Sequence, residues 1–137
     1  MSEVLTEDLL HKKTPQELTA LLYQECLNRL ELAITAIENK EFIEGNQLLQ
    51  KCNDILYRLG AGLNYEAGII ADELEAVYDY MAHKLIEANL NKRIEPIEEV
   101  KGLLIEIMNA WKFALDKKED PAQSALHKQR ASAYDKG

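Results

Sequence analysis

The chain has 137 residues and a formal net charge of −8, with 47% hydrophobic residues, six glycines and three prolines. That length suits one domain around a single core, and the composition is that of a packed globular protein, not of a linker or a disordered tail. An acidic body repels phosphate backbones, which argues against nucleic acid as a partner; the lack of an 18-residue apolar run or a secretory signal pattern argues against membrane insertion and points to the cytoplasm.

Residues 1–13 form an N-terminal segment in which Val4, Leu5, Leu9 and Leu10 recur at helix-like spacing, too short to hold a helix in water alone. Thr14-Pro15-Gln16-Glu17 then reads as a capping box. The threonine hydroxyl accepts from the Glu17 N–H, the glutamate reaches back, and proline takes the first helical position, where no N–H is missed. From Pro15 to about Asn39 the apolar positions Leu18, Leu21, Leu22, Cys26, Leu30, Ala33, Ile34 and Ile37 continue without a breaker and predict a first helix.

The break Asn39-Lys40-Glu41 is short, so a second helix, Phe42 to Leu59, is expected to return antiparallel. Its stripe is Leu48, Leu49, Cys52, Ile55, Leu56 and Leu59. Gly60 is placed to be a left-handed C-cap ahead of a turn over Ala61 to Tyr65, and Gly45 marks a first turn that is either loose or closely packed. The third predicted helix, Glu66 to Leu90, is the longest unbroken pattern, with Ala67, Ile70, Leu74, Val77, Tyr78, Met81, Leu85 and Ala88 in its main stripe. At 1.5 Å per residue it spans roughly 37 Å, so the helices that cover it must be long.

After the turn Asn91-Lys92-Arg93, a fourth helix runs from about Glu95 to Lys117, with Pro96 tolerated in its first turn. Ile97, Val100, Leu104, Ile107, Met108, Trp111 and Leu115 form its inner face, and Gly102 suggests a neighbour in close approach. Asp120-Pro121 opens a weak fifth helix within 119–137. The expected fold is therefore all-α: an antiparallel up-down-up-down four-helix bundle over 14–118, flanked by the N-terminal segment and a short C-terminal fifth helix. No strand pattern and no repeat of 20 to 50 residues competes with it.

Reaction chemistry finds little support. Di-iron bundles use Glu-x-x-His pairs, whereas the residues three before His11, His83 and His127 are Asp8, Tyr80 and Ser124. Asp79, His83 and Glu87 share a helix face, but no matching carboxylate stripe faces them, and a solvated charged face accounts for them. Cys26 and Cys52 read as reduced core cysteines, and no G-x-S-x-G, P-loop or CxxC occurs. No catalytic residue, metal site or cofactor is expected.

What the chain has in excess is apolar surface on the second and third helices, where Leu63, Ile69, Tyr80 and Ile86 have no evident place inside. The pattern alone fits two readings equally: ordinary scattered surface residues, or a surface that receives a partner helix. Three stretches bear on the choice. Thr14-Pro15-Gln16-Glu17-Leu18 with Leu21-Leu22-Tyr23, then Val77-Tyr78-Asp79-Tyr80-Met81 with Leu85 and Ala88-Asn89, then Glu98-Glu99-Val100 with Ala110-Trp111, together resemble the FliS family of flagellar export chaperones.

The resemblance runs from about Thr14 to Leu115 and implies a cytoplasmic chaperone for the C-terminal helical segment of flagellin. Its apolar grooves would cover a segment that otherwise self-associates and hand it to the export apparatus, with no ATP or cofactor. It leaves room for an export-gate component or regulatory proteins as further partners. On this reading the client surface is expected at Leu48, Ile55, Leu59, Leu63, Ile69, Ala76 and Tyr80, with Val4, Leu5, Leu9 and Leu10 as a plug in the groove of the free protein. The alternative from another class is a helical adaptor or dimerisation bundle with no flagellin client.

Overall fold

The structure, a computed structural model, describes residues 14–66 and 70–117. It comprises four α-helices, α1 (Pro15–Glu38), α2 (Phe42–Glu66), α3 (Ile70–Asn91) and α4 (Glu95–Lys117), and no strand among the described residues. The fifth helix and the N-terminal segment expected from the sequence lie outside those residues.

The first helix starts where its capping box requires. Thr14 Oγ1 accepts from the Glu17 N–H at 3.1 Å and Glu17 Oε1 accepts from the Thr14 N–H at 3.1 Å, so two otherwise orphaned donors are satisfied reciprocally. It stops at a Schellman turn built without glycine. Lys40 adopts φ 61°, its N–H donates to Ile37 O at 3.0 Å, and the Glu41 N–H donates to Ala36 O at 2.8 Å. The end of α3 repeats this device: Lys92 has φ 54° and the Arg93 N–H donates to Ala88 O at 3.1 Å. Lysine tolerates this left-handed backbone at a cost of about 1–2 kcal/mol that glycine would avoid.

Contacts across the seams give the direction of each helix. Asn46 at the start of α2 accepts from the Asn89 amide at the end of α3, and Gly60 late in α2 packs against Tyr78. Gln16 at the start of α1 accepts from the Trp111 indole near the end of α4. With the short turns at 39–41 and 92–94, all four neighbours are antiparallel, and the helices close a ring in the order α1, α2, α3, α4. Each helix packs along its length against two others, so each needs an apolar stripe wide enough to serve both.

The core is continuous from Tyr23, Cys26, Leu30 and Ala33 on α1 to Leu104, Ile107 and Trp111 on α4, and no polar or charged residue among those described is buried. Tyr23, Tyr78 and Trp111 are its largest members. The Tyr23 and Trp111 rings meet edge to face at 5.5 Å and 80°, and the Tyr23 and Tyr78 hydroxyls hydrogen-bond at 2.5 Å across the α1–α3 diagonal.

Three sequence expectations are corrected. The second helix does not stop at Gly60: α2 continues through Ala61 and Gly62 to Glu66, so residues 61–65 are helical and not a turn. Gly60 is buried in the helix interior, where packing outweighs its roughly 1 kcal/mol of poor propensity. Glu66, expected to open the third helix, is the last residue of α2, and α3 is described from Ile70, residues 67–69 lying outside the described residues. Gly102 has no close neighbour, since a Cβ built there meets nothing within 4 Å, whereas one on Gly45 would approach Ile37 Cγ1 to 3.1 Å.

The two glycines therefore behave oppositely on substitution. Gly102→Ala should stabilise the protein by about 0.5–1 kcal/mol, since open space leaves only the propensity gain. Gly45→Ala should gain less or destabilise, because Ile37 must move to admit the methyl. Thermal melts of both variants check the contrast, and a lower Tm for Gly102→Ala would contradict it.

Candidate partner-binding surface

The seam between α2 and α3 does not close completely. It leaves a groove of about 300 Å³, with Asn53, Asp54 and Tyr57 on the α2 wall and Asp79, Ala82 and Ile86 on the α3 wall. Leu56 and Tyr78, both buried, form its floor. The α3 positions 78, 82 and 86 fall at four-residue steps, so they line one edge of the helix as a continuous ridge. Tyr57 is 80% exposed and Ile86 48% exposed, large apolar surfaces left uncovered on opposite lips. At one end the hydrogen bond donated by Asn89 Nδ2 to Asn46 Oδ1 at 2.5 Å ties the two helices together.

A second, wider concavity surrounds the start of α2, where Phe42 and Ile43 lie among Lys40, Glu41 and Glu44. The Lys92 ammonium lies 5.6 Å from the Phe42 ring centre, and the neighbouring Glu41 raises the Glu44 carboxyl above its usual range, first by a hydrogen bond and then by charge. On the far side of α3 the Tyr80 hydroxyl donates to the Glu99 carboxylate, which raises the phenol pKa, and Lys84 sits 5.6 Å from its ring.

The residues expected to bind a partner are thus divided among several environments. Ile55 and Leu59, expected on the outer face, are 8% and 4% exposed and belong to the core. The physical reason is that α2 packs between α1 and α3, so its buried stripe is wide enough to absorb Leu49, Cys52, Ile55, Leu56 and Leu59 together. Leu48 is half-buried against that core. Ala76 and Tyr80 are exposed, with Tyr80 tied to α4 and not to the α2–α3 groove. Leu63 lies within α2 but its side chain is outside the described residues, as is Ile69, and as are Val4, Leu5, Leu9 and Leu10.

Tyr57 is the main residue that the sequence reading missed. It is adjacent to the buried Leu56, and an aromatic beside a stripe reads as its margin until the neighbouring helix is placed. Ile86 was visible as surplus to the core, without any indication of which residue would face it.

Among the described residues, reactive groups do not converge. Among the described residues, no group of three or more His, Cys, Asp or Glu is placed to hold a metal ion, and His83 Nδ1 hydrogen-bonds to Asp79 O at 2.8 Å within its own helix. Cys26 and Cys52 are both buried free thiols, and Cys52 Sγ donates to Cys26 O at 3.7 Å. The Cys26 thiol beside it, and then burial, push the Cys52 thiol far above its usual range.

Fold and surface together define an all-α helical bundle whose described surface carries apolar grooves with charged lips. Comparison with known proteins narrows that class. The family model for flagellar protein FliS matches residues 5–118. The chain is 37% identical over 102 residues to the flagellar secretion chaperone FliS of Bacillus subtilis, covering 74% of this chain and 76% of that one. It is 34% identical over 113 residues to the flagellar secretion chaperone FliS of Salmonella typhimurium, covering 81% and 84%. A third relative, the flagellar secretion chaperone FliSB of Pseudomonas aeruginosa, is 33% identical over 110 residues, covering 80% and 87%. The chain belongs to the FliS family.

The thiol geometry makes a direct prediction. In the native protein Cys26 and Cys52 should resist a maleimide or a disulfide reagent at neutral pH, and both should react at once in denaturant. Fast labelling of the folded protein would mean that the α1–α2 seam opens.

Proposed function

We propose that this protein is a cytoplasmic export chaperone that binds the C-terminal helical segment of flagellin, prevents its premature polymerisation and delivers it to the flagellar export apparatus. The observation that carries the proposal is the uncovered apolar surface on α2 and α3 in a member of a family whose relatives are named flagellar secretion chaperones. A polymerising helix exposes an apolar stripe, and a groove between two antiparallel helices offers a matching surface without any cofactor. No helix among the described residues is long and apolar enough to cross a membrane.

The client surface is assigned to the two edges of α3. Tyr57 and Ile86 border its α2 side, while Ala76 and Tyr80 lie exposed on α3, with Tyr80 toward α4 and Leu48 contributing from α2. Leu63 and Ile69, whose side chains lie outside the described residues, are proposed as further contributors on the strength of the sequence pattern. A segment that wraps the bundle can use both edges, whereas a single straight helix can use only one. An export-gate component or a regulatory protein would engage the faces that the client leaves open.

Titration of the purified protein with the flagellin C-terminal segment of its own genome tests the reading. Tyr57→Glu and Ile86→Glu should each weaken binding by at least about tenfold, since each places a charge where an apolar anchor docks, while circular dichroism stays unchanged. A wild-type protein that forms an obligate dimer and ignores flagellin would instead be a dimerisation bundle.

The N-terminal segment is proposed to act on the same surface. Val4, Leu5, Leu9 and Leu10 would cover the groove in the free protein and be displaced by the client, which lowers the apparent affinity by the fraction of molecules in the closed state. Deleting residues 2–12 should therefore tighten client binding and raise the fluorescence of a dye that senses apolar surface. Unchanged affinity together with unchanged dye binding would remove the plug.

A further inference from the structure

Both cysteines of the chain fall at one level of the α1–α2 seam, 26 positions apart in sequence and each fully buried. Cys52 Sγ comes within 3.7 Å of Cys26 O, and the Cys26 thiol is the strongest influence on the Cys52 thiol, through a hydrogen bond. The two helices run close together along this seam. Ala33 and Ala36 are buried on its α1 side, and a Cβ built on Gly45 of α2 would meet Ile37 Cγ1 at 3.1 Å and Ala36 Cβ at 3.9 Å. A disulfide needs its two Cβ atoms about 3.8 Å apart, and a sulfur that already touches the facing residue's backbone meets that need by side-chain rotation with little backbone movement.

Reactivity is suppressed while the bundle is closed. Both thiols are sealed from solvent, and the neighbouring thiol and burial hold Cys52 protonated, so neither attacks an oxidant through the shut seam. Glu25 and Arg29, ion-paired at 2.8 Å, both act on Cys52 and so border the same stretch of the seam. Opening of that stretch changes three things at once: it admits solvent, restores ordinary thiol acidity, and leaves the two thiols tethered to each other by the short turn at 39–41.

We propose that Cys26 and Cys52 are a latent disulfide, closed by a small-molecule disulfide such as glutathione disulfide when the α1–α2 seam opens, which then staples α1 to α2 in an otherwise native bundle. One cysteine thiolate attacks a sulfur of the oxidant, forming a mixed disulfide and releasing one glutathione. The other thiolate attacks the protein sulfur of that mixed disulfide and releases the second. Two protein thiols are thereby oxidised, one oxidant disulfide is reduced to two glutathione thiols, and the two protons pass through solvent from the former to the latter. The close contacts of the seam have no room for a tripeptide, so the mixed disulfide holds the seam open until the second thiol displaces it. Since α2 is one wall of the α2–α3 groove, the staple also fixes that wall against α1. The proposal is independent of the client reading above.

The test incubates the native protein for hours with glutathione disulfide at neutral pH, with and without urea below the unfolding transition. Intact mass, non-reducing electrophoresis, circular dichroism and urea unfolding follow the product. The expected product is a monomer lighter by two hydrogens, formed slowly and faster in urea, with unchanged helicity and no lasting glutathione adduct. It should show on the order of a hundredfold less unfolded protein than the reduced form at the same urea concentration, and dithiothreitol should reverse the change. Cys26→Ser and Cys52→Ser should each stop at the glutathione adduct.

A cross-link between two copies, a glutathione adduct that persists in the wild type, or no cross-link even in urea would overturn the staple. So would an intramolecular disulfide that lowers helicity or stability, which would mean that the seam cannot close over the bond. Conversion at one rate with and without urea would overturn the gating by seam opening.

Discussion

The Trp111 indole is the member on which the bundle's geometry most depends. It is almost wholly buried, its Nε1 donates to Gln16 O at 2.8 Å, and its ring meets Tyr23 edge to face. One side chain on the last described helix thereby grips both the backbone and the core of the first. Tyr23 in turn hydrogen-bonds to Tyr78 across the diagonal, so α1, α3 and α4 share a block of three large rings whose polar ends are satisfied. Truncating a buried tryptophan costs about 3–5 kcal/mol, a large part of the 5–15 kcal/mol that holds an ordinary domain together.

That aromatic block also shapes the surface. Tyr78 is drawn inward to meet Tyr23, and between it and Ile86 the α3 wall of the groove carries only the small Ala82. A ridge interrupted by alanine cannot fill the seam between two antiparallel helices, so the α2–α3 groove follows from the way the core is filled. The same seam is closed further along by the Asn89–Asn46 side-chain hydrogen bond, a contact that fixes the register of the two helices without apolar mass. An incompletely filled seam beside a well-packed core gives a rigid wall on each side of an accessible apolar strip, which suits a partner that must be held and later released.

Charge is distributed to match. Acidic side chains lie along the exposed edges of α3, with Lys84 reaching Glu87 and Glu99 at 3.4 and 3.9 Å. Surface pairs of this kind contribute little stability, on the order of 0–1 kcal/mol each. Their larger effect is on association, where a negative field favours cationic over anionic partners.

Much of the fold was legible because local physics decides it. The capping box at Thr14 needs only a threonine and a glutamate at the right spacing, and the stripes of α1 and α4 predict both helices to within a residue or two of their observed ends. Where a local rule was trusted against tertiary packing, it failed: Gly60 has the residue type of a helix stop but lies in the interior of α2, while the left-handed stops fall on Lys40 and Lys92, which no propensity marks. The candidate surface was the least legible part. Periodicity shows that α2 and α3 are apolar over a wide arc, but a wide arc becomes partly core and partly surface only when neighbouring helices take their positions. Ile55 and Leu59 were thus consigned to the interior and Tyr57 to the lip of a groove by the placement of α1 and α3, a relation between distant segments that no single helix contains.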